Sequence, residues 1–468
     1  MLTKKLTIAV GMALMASHAL ADNTTFDDFT PLLGDTVSGS LPEPAPFVLS
    51  SPAFRQVNIV TRGDVYEAAR FDSGNYDMHT VNENGPEAGR YLFTPYETGQ
   101  AGIQRTDLTT MQTTTIFAAP APGDFIAFDA SRWTPWGTYL TAEESWSDPG
   151  QAPSPYGRLF EVINPLAAPA DIEIKHRDIL PRVSHEGLAF DKDNNLYFID
   201  ERNGSHIFKY TSRNPDADNG DAYFAAGQVF VLRVGDGTVK EATGAARWIP
   251  LTDVDGNPLP GVVLVHGNEI DGRATPKLDA FRGTGFDRPE DLEIKTLRNK
   301  KQMLFVATTT NHKVFSIDLR RDEVELFASR DTIDMATGLP AGNQFANPDN
   351  LAIDADGNLY VVEDQPGGFE DTWFARDADD DGVAESIGKW ASLTTPGAEA
   401  TGLYFDPFNP HLAYINVQHP SSGQDRTMML MTAPVKTDAG RHHGDDGHHG
   451  RGRDHDDHDR GDRGRRDH

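Results

Sequence analysis

The sequence contains no cysteine, and this absence excludes several kinds of chemistry. Disulfide scaffolds, thiolate metal sites, iron–sulfur clusters and cysteine nucleophiles all require that residue. Basic residues are also scarce, since 42 Lys and Arg stand against 71 Asp and Glu in 468 residues, a net charge of −29. A surface this acidic repels phosphate backbones and anionic lipids, so we expect no binding to a nucleic-acid backbone.

Long apolar runs are missing after the N-terminus, so we expect no membrane anchor. Residues 1–21 have a basic start with Lys4 and Lys5, followed by the apolar run 6–15, and they end in Ala19-Leu20-Ala21. This order of charge, apolar run and small-residue cleavage site is typical of a Sec-type signal peptide. We therefore expect a secreted or periplasmic protein.

The C-terminal stretch is of low complexity, because from Gly440 onward it contains only Gly, Arg, His and Asp. Such a composition cannot build a core, so 437–468 is predicted to be a disordered tail. Its histidine pairs could hold a transition metal loosely, although a solvated polar tail is the simpler interpretation. The intervening residues 22–436 are expected to form one domain.

The body of the chain is rich in turn-forming residues, with 43 Gly and 30 Pro. Many short strands are more compatible with this composition than long helices. One pattern recurs in which an acidic residue opens a short apolar run, a turn follows, and an aromatic or β-branched strand comes next. The copies are at 185–199, 289–306, 348–362 and 399–417, with divergent units at 89–93 and 134–141.

Six such units predict an all-β fold, a six-bladed β-propeller with long loop insertions. The longest insertion is expected between Tyr210 and Phe286. A pair of β-sandwiches is the alternative, but it does not explain why the units open with the same acidic motif. Because propellers close on themselves, we expect a monomer.

The first strand of each propeller blade lines the central channel, so the acids that open these strands should meet at one mouth. We expect four to converge there: Glu186, Glu290, Asp349 and Glu399. Clustered carboxylates repel one another and are costly to desolvate unless they are protonated or bind cations. Oxygen ligands without sulfur favour hard ions, above all Ca²⁺. Alternatively, each acid only caps a local turn.

Three further residues are candidates for this site. Adjacent residues on a strand face opposite ways, so one member of the pair Glu143-Glu144 should face the channel. Arg288 lies directly before the Pro289-Glu290 motif. It forms either a salt bridge or a planar contact with an anionic substrate.

Weaker signals lie elsewhere. Asp377–Gly382 has the D-x-D-x-D-G start of a calcium loop, but Gly388 replaces the glutamate at the twelfth position, so an Asp-rich surface turn is the alternative. No G-x-S-x-G motif is present, which argues against serine-hydrolase chemistry. His185 is expected either to pack in the core or to support a neighbouring site residue, and the role of His419 stays open.

Six segments together resemble the PhoX-type alkaline phosphatases, and they occur in the order found in that family. They are 134–144, 184–191, 287–294, 347–364, 397–406 and 415–420. The resemblance implies a six-bladed propeller with calcium and iron ions at the channel mouth and hydrolysis of phosphate monoesters. It implies metal ligands at Glu143, Glu144, Glu186, Glu290, Asp349 and Glu399, with Glu144 as the inward member of its pair. It also implies that Arg288 holds the phosphate.

The chain departs from the family where Ala142 replaces a cysteine that ligates iron, and it lacks a twin-arginine signal. We therefore expect several Ca²⁺ ions, and the missing thiolate argues against Fe³⁺. The leading hypothesis is a secreted calcium-dependent phosphohydrolase that acts on a small anionic phosphate ester. The alternatives are a calcium-dependent lactonase or esterase-like hydrolase and a non-catalytic, calcium-stabilised binding propeller.

Overall fold

Short antiparallel strands dominate the computed structural model, which describes residues 25–34, 36–69, 72–147, 151–297, 300–364 and 370–432. The predicted signal peptide (1–21) and tail (437–468) lie outside these residues. The described residues belong to one compact unit, Met1–Ala433. Within them, no helix has the length and apolar character needed to cross a membrane.

The N-terminal part leads into two sheets, each a meander of four strands. The N-terminal elements are β1 (Phe47–Leu49), β2 (Arg55–Thr61) and α1 (Arg62–Ala69). Sheet 1 consists of β3 (Thr80–Val81), β4 (Tyr91–Tyr96), β5 (Gly102–Asp107) and β6 (Gln112–Ala118). Sheet 2 consists of β7 (Arg132–Trp133), β8 (Tyr139–Ala142), β9 (Leu159–Val162) and β10 (Ile174–His176).

The middle of the chain forms sheet 3 and a long excursion beyond it. Sheet 3 consists of β11 (Leu188–Phe190), β12 (Leu196–Ile199), β14 (Ile207–Ser212) and β15 (Gly227–Val234), extended by β16 (Gly244–Pro250). The remaining elements are β13 (Asn203–Ser205), α2 (Gly220–Tyr223), β17 (Leu264–Val265), β18 (Glu269–Ile270) and β19 (Phe286–Asp287). The region predicted as one insertion after Tyr210 therefore supplies two strands of sheet 3, β15 and β16.

The C-terminal half forms three more meanders. Sheet 4 consists of β20 (Pro289–Thr296), β21 (Gln302–Thr308), β22 (Lys313–Asp318) and β23 (Glu323–Ser329), and a short pairing of β23 with β16 joins it to sheet 3. Sheet 5 consists of β25 (Pro348–Ile353), β26 (Leu359–Glu363), β27 (Glu370–Arg376) and β28 (Ser386–Leu393), with β1 and β24 (Ile333–Asp334) added to β28. Sheet 6 consists of β29 (Glu399–Phe405), β30 (Leu412–Gln418), β31 (Arg426–Met431) and β2. Three short 3₁₀ turns occur at Pro169–Asp171, Thr275–Lys277 and Gly342–Gln344.

Hydrophobic clusters join each sheet to the next, which gives the sheets a cyclic order. The pairs 1–2, 2–3, 3–4, 4–5, 5–6 and 6–1 share buried side chains, as in Phe93 with Phe160, Leu140 with Phe198, Ile199 with Leu304, Phe305 with Trp373, Tyr360 with Ile415, and Leu92 with Tyr414. The N-terminal strand β2 completes sheet 6 beside β31. The prediction of an all-β propeller is confirmed.

Candidate functional site

A cavity of about 220 Å³ lies where residues from all six sheets meet. Its walls contain ten carboxylates, whereas only two of the lining side chains, Arg288 and His419, are basic. The lining residues are Asn75, Asp77, Glu97, Asp129, Glu144, Glu186, Glu201, Arg288, Glu290, Asp349, Asp364, Glu399, Gln418 and His419.

These side chains occupy two recurring positions in the sheets. Each sheet contributes one acid within three residues of the start of its first strand: Asp77, Asp129, Glu186, Glu290, Asp349 and Glu399. Five sheets contribute a residue at, or just after, the end of the second strand: Glu97, Glu144, Glu201, Asp364 and Gln418. Because the two strands are antiparallel, the start of one and the end of the other lie at the same edge of the sheet.

β-Bulges lie at two of the opening acids, Glu290 and Asp349. In β20, Pro289 pairs with Thr308 of β21, and the next paired residues are Leu292 and Val306. The segment from Pro289 to Leu292 therefore has one residue more than the facing segment of β21, which defines a bulge. β25 has the same irregularity around Asp349, whereas in β29 it lies between Thr401 and Tyr404, beyond Glu399. A bulge bends its strand and redirects the side chain beside it, which explains why the acid can leave the plane of the sheet at this point.

The residue after the acid ties neighbouring first strands together. Asp291 Oδ2 accepts a hydrogen bond from the backbone N–H of Leu351 at 2.9 Å. Asn350 Oδ1 accepts one from the N–H of Gly402 at 2.6 Å. In these two motifs the second polar side chain therefore bonds to the next sheet, while the preceding acid lines the cavity.

Two glycines permit this close approach. Gly402 has a φ of +59°, and a Cβ there would lie 2.3 Å from the carbonyl oxygen of Asp77. A Cβ on Gly187 would lie 2.3 Å from Asp291 Oδ1. Only glycine fits at these positions without moving the neighbouring strand, so the convergence of the acids depends on both.

The acids form groups that have the geometry of a metal site. Within each group, one oxygen of every carboxylate lies within 4.8 Å of the others. The cavity groups are Asp77, Glu97 and Asp129; Glu186, Glu290 and Asp349; and Asp349, Asp364 and Glu399. Because Asp349 belongs to two of them, it can bridge neighbouring ions.

Burial and mutual repulsion both disfavour the charged form of these acids. Burial first, and then nearby carboxylates, raise the pKa well above its ordinary value for Asp77, Asp129, Glu186, Glu290 and Asp349. Burial also raises the pKa of Glu399 to about 7. The buried Oδ1 atoms of Asp77, Asp129 and Asp364 accept no hydrogen bond from the described residues. Oxygen-rich sites with unsatisfied acceptors are suited to hard cations such as Ca²⁺.

Arg288 crosses one side of the cavity. Its Nε lies 2.7 Å from oxygens of both Glu201 and Glu290, and its Nη1 lies 3.4 Å from Asp364 Oδ2. Although burial opposes the charge, Glu290 and Glu201 hold the pKa of Arg288 above its usual range. The side chain is 39% exposed, so a permanent positive charge faces the opening.

Sheet 6 contributes two nitrogen-bearing side chains. Gln418 Nε2 donates to Asp77 Oδ2 at 3.1 Å and to Glu97 Oε2 at 3.0 Å. His419 Nε2 lies 2.9 Å from Glu399 Oε2, and that hydrogen bond raises the pKa of His419 to about 9. The amide thus organises one group of carboxylates, while the imidazole borders another.

Five of the six predicted metal ligands line the cavity, and Glu143 does not. Its Oε1 lies 2.6 Å from Arg158 Nη2, its Oε2 lies 2.8 Å from Arg158 Nε, and the carboxylate is fully buried. The structure thus places Glu143 against Arg158 and outside the lining of the cavity. Strand alternation turns Glu144 to the cavity and Glu143 to the opposite side.

Five of the cavity acids are not among the residues predicted from the sequence. They are Asp77, Glu97, Asp129, Glu201 and Asp364. The signal for Glu201 and Asp364 was present, because each follows a Leu-Tyr strand in the clearest repeats. Asp77 and Asp129 gave no such signal, since the strands they precede, β3 and β7, have only two residues each.

The other residues noted in the sequence lie outside the cavity. His185 is fully buried, and its ring centre lies 5.6 Å from that of Phe198. Asp377, Asp379 and Glu385 also form a compact acidic group, but the latter two are exposed at the surface.

Comparisons with known proteins point to one family. The family model described as alkaline phosphatase PhoX matches residues 130–421. Pseudomonas fluorescens PhoX, solved in complex with vanadate as a transition-state analogue, is 15% identical with a TM-score of 0.61, and the match covers 87% of this chain and 98% of that one. The PQQ-bound aldose sugar dehydrogenase of Streptomyces coelicolor is 12% identical with a TM-score of 0.41, covering 83% and 99% of the two chains. No curated protein matches the chain.

Proposed function

The chain belongs to the PhoX alkaline phosphatase family, whose model matches 130–421, and on this basis we propose that it is a calcium-dependent hydrolase of small phosphate monoesters. The observation that carries the proposal is the cavity itself, in which ten carboxylates surround the single guanidinium of Arg288. Carboxylates alone would repel a phosphate dianion. Cations bound to these acids would remove that repulsion and admit a phosphate ester, and the three acidic groups offer oxygens for that purpose.

Calcium is the ion best suited to the residues present. The acidic groups supply only oxygen ligands, and Ca²⁺ takes six to eight of these in flexible geometry. Ala142, at the position where the resemblance implies an iron-ligating thiolate, is fully buried in a hydrophobic cluster and offers no ligand atom. Bound Ca²⁺ would neutralise charge on the phosphoryl oxygens and lower the pKa of a coordinated water.

The chain's own residues divide the remaining tasks. Arg288 offers a planar, charged guanidinium to the phosphoryl oxygens, and Glu201 and Glu290 fix its orientation. Thr309 Oγ1 donates to Glu290 Oε1 and holds that carboxylate in turn. Gln418 donates hydrogen bonds to Asp77 and Glu97 and so fixes two members of the group that also contains Asp129. These contacts prearrange the charges before the substrate arrives, which is how electrostatic catalysis reduces a barrier.

The signal pattern at 1–21 and the family's typical secretion support a secreted or periplasmic location. The substrate in this proposal is a free small molecule, since the cavity of about 220 Å³ has room for a phosphoryl group and a small leaving group.

An aryl phosphate monoester assay on the full chain tests the proposal. Chelator should abolish turnover and added Ca²⁺ should restore it. Arg288→Ala should reduce kcat/KM by about 10²-fold, the usual loss of one such contact, whereas Arg213→Ala, which removes an exposed arginine paired with Asp255, should have no effect. The absence of turnover on any phosphate ester with Ca²⁺ bound would contradict the proposal, and turnover on lactones alone would favour the lactonase alternative.

A further inference from the structure

Arg273 lies in the excursion between sheets 3 and 4, after β18, and its side chain is only 1% exposed. It is absent from the lining of the cavity. A buried guanidinium is costly unless every part of it is paired, so its partners indicate what it does.

Among the described residues, hydrogen-bond partners of the Arg273 guanidinium come from three separate segments. Its Nη2 and Nε donate to the two oxygens of Asp200 at 2.6 and 2.8 Å, a bidentate pair. Nη2 also donates to Ser184 Oγ at 2.9 Å. Nη1 donates to the carbonyl oxygens of Trp146 and Ser147 at 3.2 and 3.3 Å.

Each of these segments carries an acid of the cavity close to its contact with Arg273. Trp146 lies two residues after Glu144, Ser184 two residues before Glu186, and Asp200 directly before Glu201. The last two segments are also bonded to each other, because Asp200 Oδ1 accepts from the N–H of Ser184 at 2.9 Å and Glu201 N–H donates to the Ser184 carbonyl at 2.9 Å.

We propose that Arg273 is a positioning residue that fixes Glu144, Glu186 and Glu201 relative to one another for cation binding. The proposal rests on the calcium site proposed above and adds a role for the long excursion after sheet 3. Arginine suits this task because its five donors lie in one rigid plane and reach three segments at once. A lysine offers a single nitrogen and can hold fewer of them.

Calcium titration calorimetry on the full, chelator-treated chain tests the role of Arg273. Arg273→Met should weaken Ca²⁺ binding by about 10- to 100-fold, the usual cost of losing a residue that orients metal ligands. Arg273→Lys should recover part of that affinity. The matched control is Arg177→Met, because Arg177 is also buried and pairs with Glu161 and Asp221, neither of which lines the cavity.

The control separates positioning from general stability. Both methionine variants should melt at a lower temperature in chelator, but only Arg273→Met should change Ca²⁺ affinity. Wild-type affinity in Arg273→Met, or an equal loss in both variants, overturns the inference. If Arg273→Met does not fold, Ser184→Ala replaces it and should still weaken Ca²⁺ binding several-fold; an unchanged affinity then overturns the inference. Absence of Ca²⁺ binding in the wild type would instead remove the proposed calcium site.

Discussion

Glu143 and Glu144 are neighbours in the sequence but have opposite surroundings in the fold. Glu143 is fully buried against Arg158, and burial raises its pKa despite that partner. Glu144 lines the cavity among other acids. The sequence predicts that the two side chains face opposite ways. It does not predict that Arg158, which directly precedes β9, forms an ion pair with Glu143.

Glutamine substitutions should separate these two roles. Glu143→Gln leaves Arg158 without its charged partner, so the free energy of unfolding should fall by about 3 kcal/mol while Ca²⁺ binding is kept. Glu144→Gln should weaken Ca²⁺ binding and leave the stability of the chelated protein unchanged or higher. Urea unfolding in chelator and calcium calorimetry measure the two effects. Reversal of the two patterns would contradict the assignment.

Asp349 should be the most sensitive of the cavity acids, because it belongs to two of the acidic groups. Asp349→Asn removes a charged ligand from both, so we expect a loss of Ca²⁺ stoichiometry as well as of affinity, measured by calorimetry with elemental analysis. Asp279→Asn, at a site that is 94% exposed, is the control and should have no effect. Equal Ca²⁺ content in both variants would argue against shared ligation.

At the scale of elements, the sequence predicts the regular repeats and misses the irregular ones. The segments 184–199 and 347–362 show the alternation and turns of β11–β12 and β25–β26. The divergent units at 89–93 and 134–141 instead overlap the second strands of their sheets, β4 and β8. Their first strands are too short to produce a periodic signal, so the acids before them were not found.

The bulges and glycine contacts that aim the acids also escape prediction from sequence. A bulge is defined by two strands in register, and a close approach is defined by two sheets. Gly402 looks like any other glycine in a turn-rich chain, yet it is the point where β29 passes the backbone of Asp77.

Gly402→Ala should therefore lower the free energy of unfolding by more than its left-handed backbone conformation alone would explain. Gly235 provides the control, since it has a similar φ of +57° with nothing within 4 Å of a Cβ. Gly235→Ala should lower the free energy of unfolding by about 1 kcal/mol. Gly402→Ala should lower it by more and should also weaken Ca²⁺ binding. Urea unfolding and calcium calorimetry test this difference. Equal stability losses with unchanged Ca²⁺ affinity would show that the contact with Asp77 is unimportant.

At the scale of the whole molecule, the N-terminal segment joins sheets 5 and 6. Strand β2 completes sheet 6 and β1 extends sheet 5. Phe26 packs its ring against those of Phe54, Trp390 and Phe405, with centre distances of 5.6, 5.7 and 5.2 Å. The two ends of the propeller domain are thus held together by both strand pairing and aromatic packing.

Phe26→Ala should test this closure, because Phe26 is 2% exposed. The loss of a buried aromatic ring should reduce the free energy of unfolding by about 3–5 kcal/mol, measured by chemical denaturation. Phe408→Ala, at a residue that is 51% exposed, is the control and should change stability by less than about 1 kcal/mol. Similar losses of stability in the two variants would show that the N-terminal segment adds little to the stability of the propeller.

The central claim is that the cavity acids jointly bind hard cations. A crystal structure of the Ca²⁺-loaded protein tests it most directly, with anomalous scattering to identify the ions. We expect calcium at about 2.3–2.6 Å from the carboxylate oxygens of the groups around Asp77 and Asp349. A cavity that holds only water at saturating Ca²⁺, with its acids bonded to one another through shared protons, would contradict the account.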